Sequence, residues 1–278
     1  MHLLNLINTK LTKSKQKRIF NNYDYIIESF IINEGSIESV DFAQWLHPFN
    51  THKRITKENI NFFKKLVNKG DMVIDIGAYT GDTTVPMALA AGKEGLALAL
   101  EPNQHVYKVL ERNASLNKEY TNIIPLCFAA TAEDGEFTFN YSDASFCNGG
   151  FLSQINKKNH GHNYTLKIKG LNFENYLMSN YKNDLHRLKL IKVDAEGYDR
   201  EILKSISTII CNFKPKLIFE CYKRLTSEER NQLYDLIDGF KYDFYYLENF
   251  EHEGELIKIE KKNMLDYKHF DILAIHRT

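Results

Sequence analysis

Cysteine is scarce in this chain and follows no pattern. The 278 residues hold four, Cys127, Cys147, Cys211 and Cys221, with no Cys-x-x-Cys spacing. A disulfide framework or a zinc ribbon needs a regular set, so these read as reduced, buried thiols of a cytoplasmic protein. Long apolar runs are missing as well. No stretch approaches the ~18 residues of a membrane span. Met1-His2-Leu3-Leu4-Asn5-Leu6-Ile7 is too short and too polar for a secretory core. A charge excess of either sign is also absent, since Lys+Arg and Asp+Glu are each 36. Nucleic acid is therefore not an expected partner. The one basic cluster is Lys10, Lys13, Lys15, Lys17 and Arg18. A solvated helix explains it more simply than contact with an anionic membrane surface. There is no internal repeat and no low-complexity segment.

What is present suits an α/β protein. Apolar residues make up 43% of the chain, enough for a large core. The length suits one α/β domain with an extension, or two small domains. The reading adopted is a helical N-terminal extension over 1–60 and a catalytic domain over 61–278. In the extension, Asp24 to Ile32 shows apolar residues at helical spacing. Asp41 to Phe49 carries the single tryptophan, Trp45, beside His47 and Pro48. This segment is read either as a cap on a ligand cleft or as a brace on the sheet. Thr56 is a good N-cap for the helix that follows.

The chain is organised around Asp71 to Thr84. Val73-Ile74-Asp75-Ile76 reads as a strand buried on both faces, as parallel-sheet strands are. Gly77 and Gly81 follow, then Thr83 and Thr84 open a helix with Pro86 in its first turn. Glycines there permit positive φ and let a ligand approach bare backbone. The ligand belongs at the carboxyl end of the strand. A dinucleotide loop reads G-x-G-x-x-G. Here Ala78-Tyr79-Thr80 separates the two glycines, so the middle glycine that admits a pyrophosphate is missing. That disfavours NAD and favours a ligand without phosphates. A second strand, Gly95 to Leu100, ends in Glu101-Pro102. An acid at that tip is where nucleotide folds hold ribose hydroxyls.

Several blocks together resemble the FkbM family of methyltransferases. They are Asp75-Ile76-Gly77-Ala78-x-x-Gly81, Leu98-Ala99-Leu100-Glu101-Pro102-Asn103 and Leu110-x-x-Asn113-x-x-x-Asn117, followed by Lys192 to Leu203 around Asp194-Ala195-Glu196-Gly197, and Pro215 to Glu220. The similarity covers roughly residues 68 to 222. It implies a Rossmann-like class I methyltransferase sheet, mostly parallel with seven strands and the last antiparallel, carrying a small β insertion. It also implies S-adenosyl-L-methionine as cofactor and a hydroxyl acceptor, a saccharide or another small molecule. The cofactor residues it implies are Asp75, Gly77, Ala78, Tyr79, Gly81, Thr83, Thr84, Glu101, Phe128, Ala129 and Asp194, with Phe128 to Ala130 walling the adenine. Tyr79 departs from the small polar residue that family members often carry.

The remaining strands follow the same plan. They are Asn122 to Ala130, Leu188 to Val193, Lys216 to Phe219, Tyr242 to Leu247 and His269 to Ile275, the last two an antiparallel pair. Gly135 to Tyr141 and Tyr164 to Lys169 alternate and form the insertion, where acceptor contacts are expected. Asn249 to Lys268 reads as a charged, exposed loop. Methyl transfer to an alcohol needs alignment and one base. The candidate catalytic acids are Glu196 as base or hydroxyl anchor, Asp194 beside the reacting centre, and Glu220 in support. Capping of the next helix is the plainer role for Asp194 and Glu196. His160 and His162 are weaker candidates for a base or a metal site, and no metal is expected. Methylation of a non-sugar metabolite or a protein, and a non-catalytic cofactor-binding scaffold, remain the alternatives.

Overall fold

The structure is a computed structural model that describes residues 21–141, 151–152, 164–251 and 254–277. Cys147, the Asn148-Gly149-Gly150 loop, His160, His162 and the basic cluster at 10–18 lie outside those residues. The extension expected to be helical starts instead as an antiparallel hairpin, β1 (Tyr25–Glu34) with β2 (Ile37–Trp45). Helical spacing was real there, but Ile26, Ile27, Ile31 and Ile32 are β-branched and stiff at χ1. The turn is made by Gly35, at φ 61°, and Ser36, while Asn33, at φ 50°, lies where the pairing register shifts between Ile31 and Glu34. Helix α1 (Lys57–Lys64) follows, with a capping box between Thr56 and Asn59.

Next come β3 (Met72–Ile76), α2 (Thr84–Ala91), β4 (Leu96–Leu100) and α3 (Gln104–Ser115). Then follow β5 (Ile123–Leu126), β6 (Ala129–Thr131), β7 (Gly135–Tyr141), β8 (Phe151–Leu152) and β9 (Tyr164–Asn172). After α4 (Phe173–Asn180) and β10 (Leu188–Val193), α5 (Asp199–Ser205) and α6 (Ser207–Phe213) lead into β11 (Lys216–Cys221). The chain ends with α7 (Ser227–Gly239), β12 (Tyr242–Leu247), β13 (Ile257–Ile259) and β14 (Phe270–His276).

The central sheet runs β13-β12-β14-β11-β10-β3-β4-β5. From β11 to β5 all pairings are parallel, and β14 runs antiparallel between β11 and β12. Every residue of β3 and β4 is buried, Asp75 included, as strands of a sheet covered on both faces are. Alternate residues serve the two faces. Met72, Ile74, Ile76 and Leu96, Leu98, Leu100 face α4 to α7. Val73, Ala97 and Ala99 face α1, α2 and the hairpin, where small side chains let α2 sit close.

Two expected elements differ. The third strand is broken at Cys127-Phe128, so that β5 stays in the central sheet while β6 joins a second sheet, β6-β9-β7-β8. Phe128 turns into the core there, its ring 4.8 Å from Tyr176 and 6.3 Å from Phe173. The segment expected as an exposed loop, 249–268, contains β13 and a 3₁₀ turn (Lys261–Leu265), giving eight strands rather than seven. The buried Arg230 guanidinium organises it by donating to the carbonyls of Met264, Tyr267 and Lys268 at 2.8, 2.6 and 2.7 Å. The charged residues face out, while Ile259 and Met264 face in.

The hairpin is docked on α3 by two asparagine amides. Asn113 accepts from Ala43 N at 2.6 Å and donates to Ala43 O at 3.2 Å. Asn117, just past the helix end at φ 54°, does the same with Asp41 at 2.9 and 2.8 Å. Asp41 and Ala43 are alternate residues of β2, so the two amides act as a neighbouring strand and cover that edge.

Candidate functional site

The carboxyl ends of β3, β4 and β10 open onto a cavity of about 550 Å³. Its size is that of a small-molecule site. Of the residues that sequence marked for cofactor and chemistry, Gly77, Ala78, Tyr79, Thr83, Glu101, Phe128, Ala129, Asp194 and Glu196 line it. Asp75, Gly81, Thr84 and Glu220 stand behind that wall rather than in it.

The loop after β3 has tight geometric requirements. Gly77 sits at φ 79°, and a Cβ there would lie 2.0 Å from the carbonyl oxygen of Asp194. The glycine thus serves the close passage of two strand ends. Gly77 N and Ala78 N both donate to Leu100 O, at 3.0 and 2.9 Å. Gly81, at φ 94°, packs against Leu110 of α3. Tyr79 takes the left-handed conformation, φ 51°. Its ring meets Trp45 edge-on at 6.3 Å, and its hydroxyl donates to Asn50 Oδ1 at 2.8 Å. A small polar residue would lose both ties.

Glu101 closes the second strand as a nearly buried carboxyl. Its two oxygens accept from Tyr79 N at 3.1 Å and Asn103 N at 2.8 Å. Burial pushes its pKa up to about 8, while those two N–H groups pull the other way. The lone pairs left over face the cavity beside the apolar wall of Phe128, Ala129 and Ala130.

Beneath the loop lies a charge pair that sequence reading missed on one side. Lys192, the penultimate residue of β10, is buried with Asp75 as its register neighbour in β3. Its Nζ is 3.1 Å from Asp75 Oδ1 and 3.6 Å from Asp194 Oδ2. Thr84 Oγ1 donates to the other Asp75 oxygen at 2.6 Å. Burial alone would lower the lysine pKa, but Asp75 and Asp194 outweigh it and raise it. The available signal was a lysine at the end of an otherwise apolar strand, two residues before Asp194, where Lys189 of the same strand is exposed and Lys192 is buried.

The acids at the tips of β10 and β11 divide by environment. Asp194 is half exposed to the cavity. Glu196 stands at φ 52° and accepts a hydrogen bond from the Tyr222 hydroxyl. Burial, then the charge of Asp194, raises its pKa. Asp199, at the start of α5, accepts from Gly197 N and Glu220 N, both at 3.2 Å, and so braces the turn. Glu220 is buried, with His269 Nδ1 3.2 Å from Oε1 and no partner on Oε2. Burial, then Asp194 and Asp199, pushes its pKa up to about 10, so it is neutral near pH 7. Among the described residues, no three His, Cys, Asp or Glu side chains are placed to hold a metal ion. Likewise, no helix there is long and apolar enough to cross a membrane.

The extension supplies another wall. Phe49, Thr51 and Lys53, from the strap between β2 and α1, line the cavity, as do Tyr141, Tyr198, Tyr222 and Arg224. Phe49 ends the segment read as a cap or a brace, and Tyr141 ends a strand of the insertion where acceptor contacts were expected. Thr51, Lys53, Tyr198, Tyr222 and Arg224 were not singled out, because only the folded chain brings them to the strand tips.

The sequence model of the methyltransferase FkbM domain matches residues 75–252. Similar solved structures include a methyltransferase FkbM from Methylobacillus flagellatus KT, at 13% identity and TM-score 0.44, matched over 78% of this chain and 51% of that one. This chain thus spans about half the length of that protein. Another is a SAM-dependent O-methyltransferase from Thermotoga maritima, at 11% identity and TM-score 0.41, over 90% of this chain and 78% of that one. A third is precorrin-6y C5,15-methyltransferase from Geobacter metallireducens GS-15, at 10% identity and TM-score 0.42, over 79% and 88%.

Proposed function

The chain belongs to the FkbM methyltransferase family, and on that premise we propose that it moves a methyl group from S-adenosylmethionine to a hydroxyl of a saccharide or glycoconjugate. The residues suit this donor. The loop Gly77 to Tyr79 lacks a glycine for a pyrophosphate, Glu101 offers its carboxyl oxygens to ribose hydroxyls, and Phe128 to Ala130 offer an apolar wall to a base. When bound, this donor supplies a methyl made electrophilic by a sulfonium.

The protein's part is to align the acceptor, exclude water and take one proton. Glu196 is the base in this reading. Its left-handed backbone sets it on the cavity wall, Tyr222 orients its carboxylate, and its raised pKa makes it a better acceptor for an alcohol proton. Asp194 anchors a second polar group next to it. Glu220, neutral and set back, supports the turn without touching the cavity.

The observation that carries the saccharide reading is the company these acids keep. Asp194 and Glu196 share the cavity with the rings of Tyr141, Tyr198 and Tyr222. Rings for the apolar face of a pyranose and carboxylates for its hydroxyls are what sugar binding needs.

The test is methyl transfer from labelled S-adenosylmethionine to a panel of nucleotide sugars and glycans, with wild type and Glu196→Gln. Wild type should label a sugar. The variant should bind S-adenosylhomocysteine normally and turn over roughly 10²–10⁴-fold more slowly. Unchanged turnover would remove Glu196 as base, and labelling of non-sugar acceptors alone would remove the saccharide.

A further inference from the structure

An ion pair on the cavity wall has no part in the scheme above. Lys53 Nζ lies 2.7 Å from Asp82 Oδ2, and both side chains are about a quarter exposed (24% and 25%). Both line the cavity. We propose that Lys53 and Asp82 together read the zwitterionic amino-acid end of the methyl donor, Lys53 donating to its carboxylate and Asp82 accepting from its ammonium. This rests on the donor assignment made above.

The order of residues along the wall supports it. Tyr79 N donates to Glu101, the side chain offered to ribose. On its other side the Tyr79 ring lies under Lys53 Nζ, 5.2 Å from the ring centroid. Passing from Glu101 across Tyr79 therefore leads to Lys53 and Asp82. A nucleoside whose ribose meets Glu101 would extend its 5′ substituent along this loop. An α-amino acid carries one positive and one negative group on a single carbon. A cation and an anion side by side match that pair, each protein charge meeting its opposite without losing its first partner.

The pair is held in place before any ligand arrives. Lys53 N donates to Gln44 Oε1 at 3.1 Å, and Gln44 Nε2 donates to Lys53 O, so the buried Gln44 amide brackets the lysine backbone. Asn50 accepts from the Tyr79 hydroxyl at 2.8 Å and donates to Trp45 O at 3.0 Å, tying the strap to the loop. An exposed ion pair contributes little to stability. One with three quarters of each side chain covered, and its strap fastened at both ends, is preorganised for a ligand. Lys53 also lies before the matched region 75–252, so the extension would contribute directly to donor selectivity.

Calorimetry with two ligands tests this. S-adenosylhomocysteine carries the amino-acid end, and 5′-methylthioadenosine lacks it. Lys53→Met and Asp82→Asn should each weaken S-adenosylhomocysteine roughly 10–100-fold. Both should leave 5′-methylthioadenosine within about two-fold of wild type, which also shows the pocket intact. Unchanged S-adenosylhomocysteine affinity in both variants overturns the inference. So does a parallel loss of both ligands, which would make the pair a support of the pocket. If wild type binds neither ligand, the donor assignment itself falls, and the inference with it.

Discussion

Lys192→Met is the most informative single change, because it breaks a buried pair that joins the fold to the site. The ammonium is 3.1 Å from Asp75 and 3.6 Å from Asp194, and Lys192 and Asp75 are 5% and 1% exposed. At an effective dielectric of 20 the closer contact corresponds to about 5 kcal/mol of attraction, much of it offset by desolvation. Removing only the cation leaves Asp75 buried with Thr84 as its remaining side-chain donor. The expected loss is about 3–5 kcal/mol, or about 6–20 °C in thermal midpoint. Urea unfolding of the two single variants and the double, with Asp75→Asn as the partner, measures it. The double variant should lose less than the sum of the singles, by about 0.5–3 kcal/mol. The lysine pKa is raised in the fold, so its stabilisation is complete below the unfolded value of 10.5 and goes only as pH rises through the folded one. The lysine's own contribution should therefore hold constant from about pH 6 to 9. A cost below about 1 kcal/mol, or strict additivity, would refute the pairing.

Two further outcomes follow from the same geometry. Gly77→Ala puts a methyl 2.0 Å from the Asp194 carbonyl at φ 79°. It should cost roughly 2–4 kcal/mol in thermal or urea unfolding, and weaken S-adenosylhomocysteine as the strand ends part. A variant as stable as wild type would show that the ends can separate freely. Glu220 is an acid whose pKa is raised to about 10 in the fold. Such a group lowers stability as pH climbs from its unfolded value of 4.5 toward the folded one. Glu220→Gln should therefore match wild type near pH 4.5 and exceed it at pH 8 by about 1–3 kcal/mol. Parallel pH profiles for the two proteins would contradict a buried, neutral Glu220.

How far the residues alone carry the reading can be seen element by element. Leu96 to Leu100 is an unbroken apolar run, and Val73 to Ile76 one interrupted only by Asp75; only a sheet covered on both sides can hide them, and they became β4 and β3. Thr56 announced its helix through a side chain that acts within three residues. The acids Asp194 and Glu196 were legible because they follow such a strand directly. The hairpin was not, because β-branched residues at helical spacing satisfy both periods, and its docking depends on Asn113 and Asn117, 70 and 76 positions from their partners. The strand at 257–259 hid in a charged segment because it is held by pairing with β12, while Arg230, on another element, gathers the residues that follow it.

The sequence by itself determined the parallel sheet, the loop from Asp75 to Gly81, and the acids that follow β10. Those depend on local pattern, on glycine's access to positive φ, and on residues adjacent in the chain. Tertiary structure alone decided that Lys192 faces Asp75, 117 positions away, and that the strap carrying Lys53 crosses the loop at Tyr79. Such contacts exist only once strands are in register and the hairpin is docked, because what a buried charge or an exposed edge requires is a partner, and the chain does not state where that partner comes from.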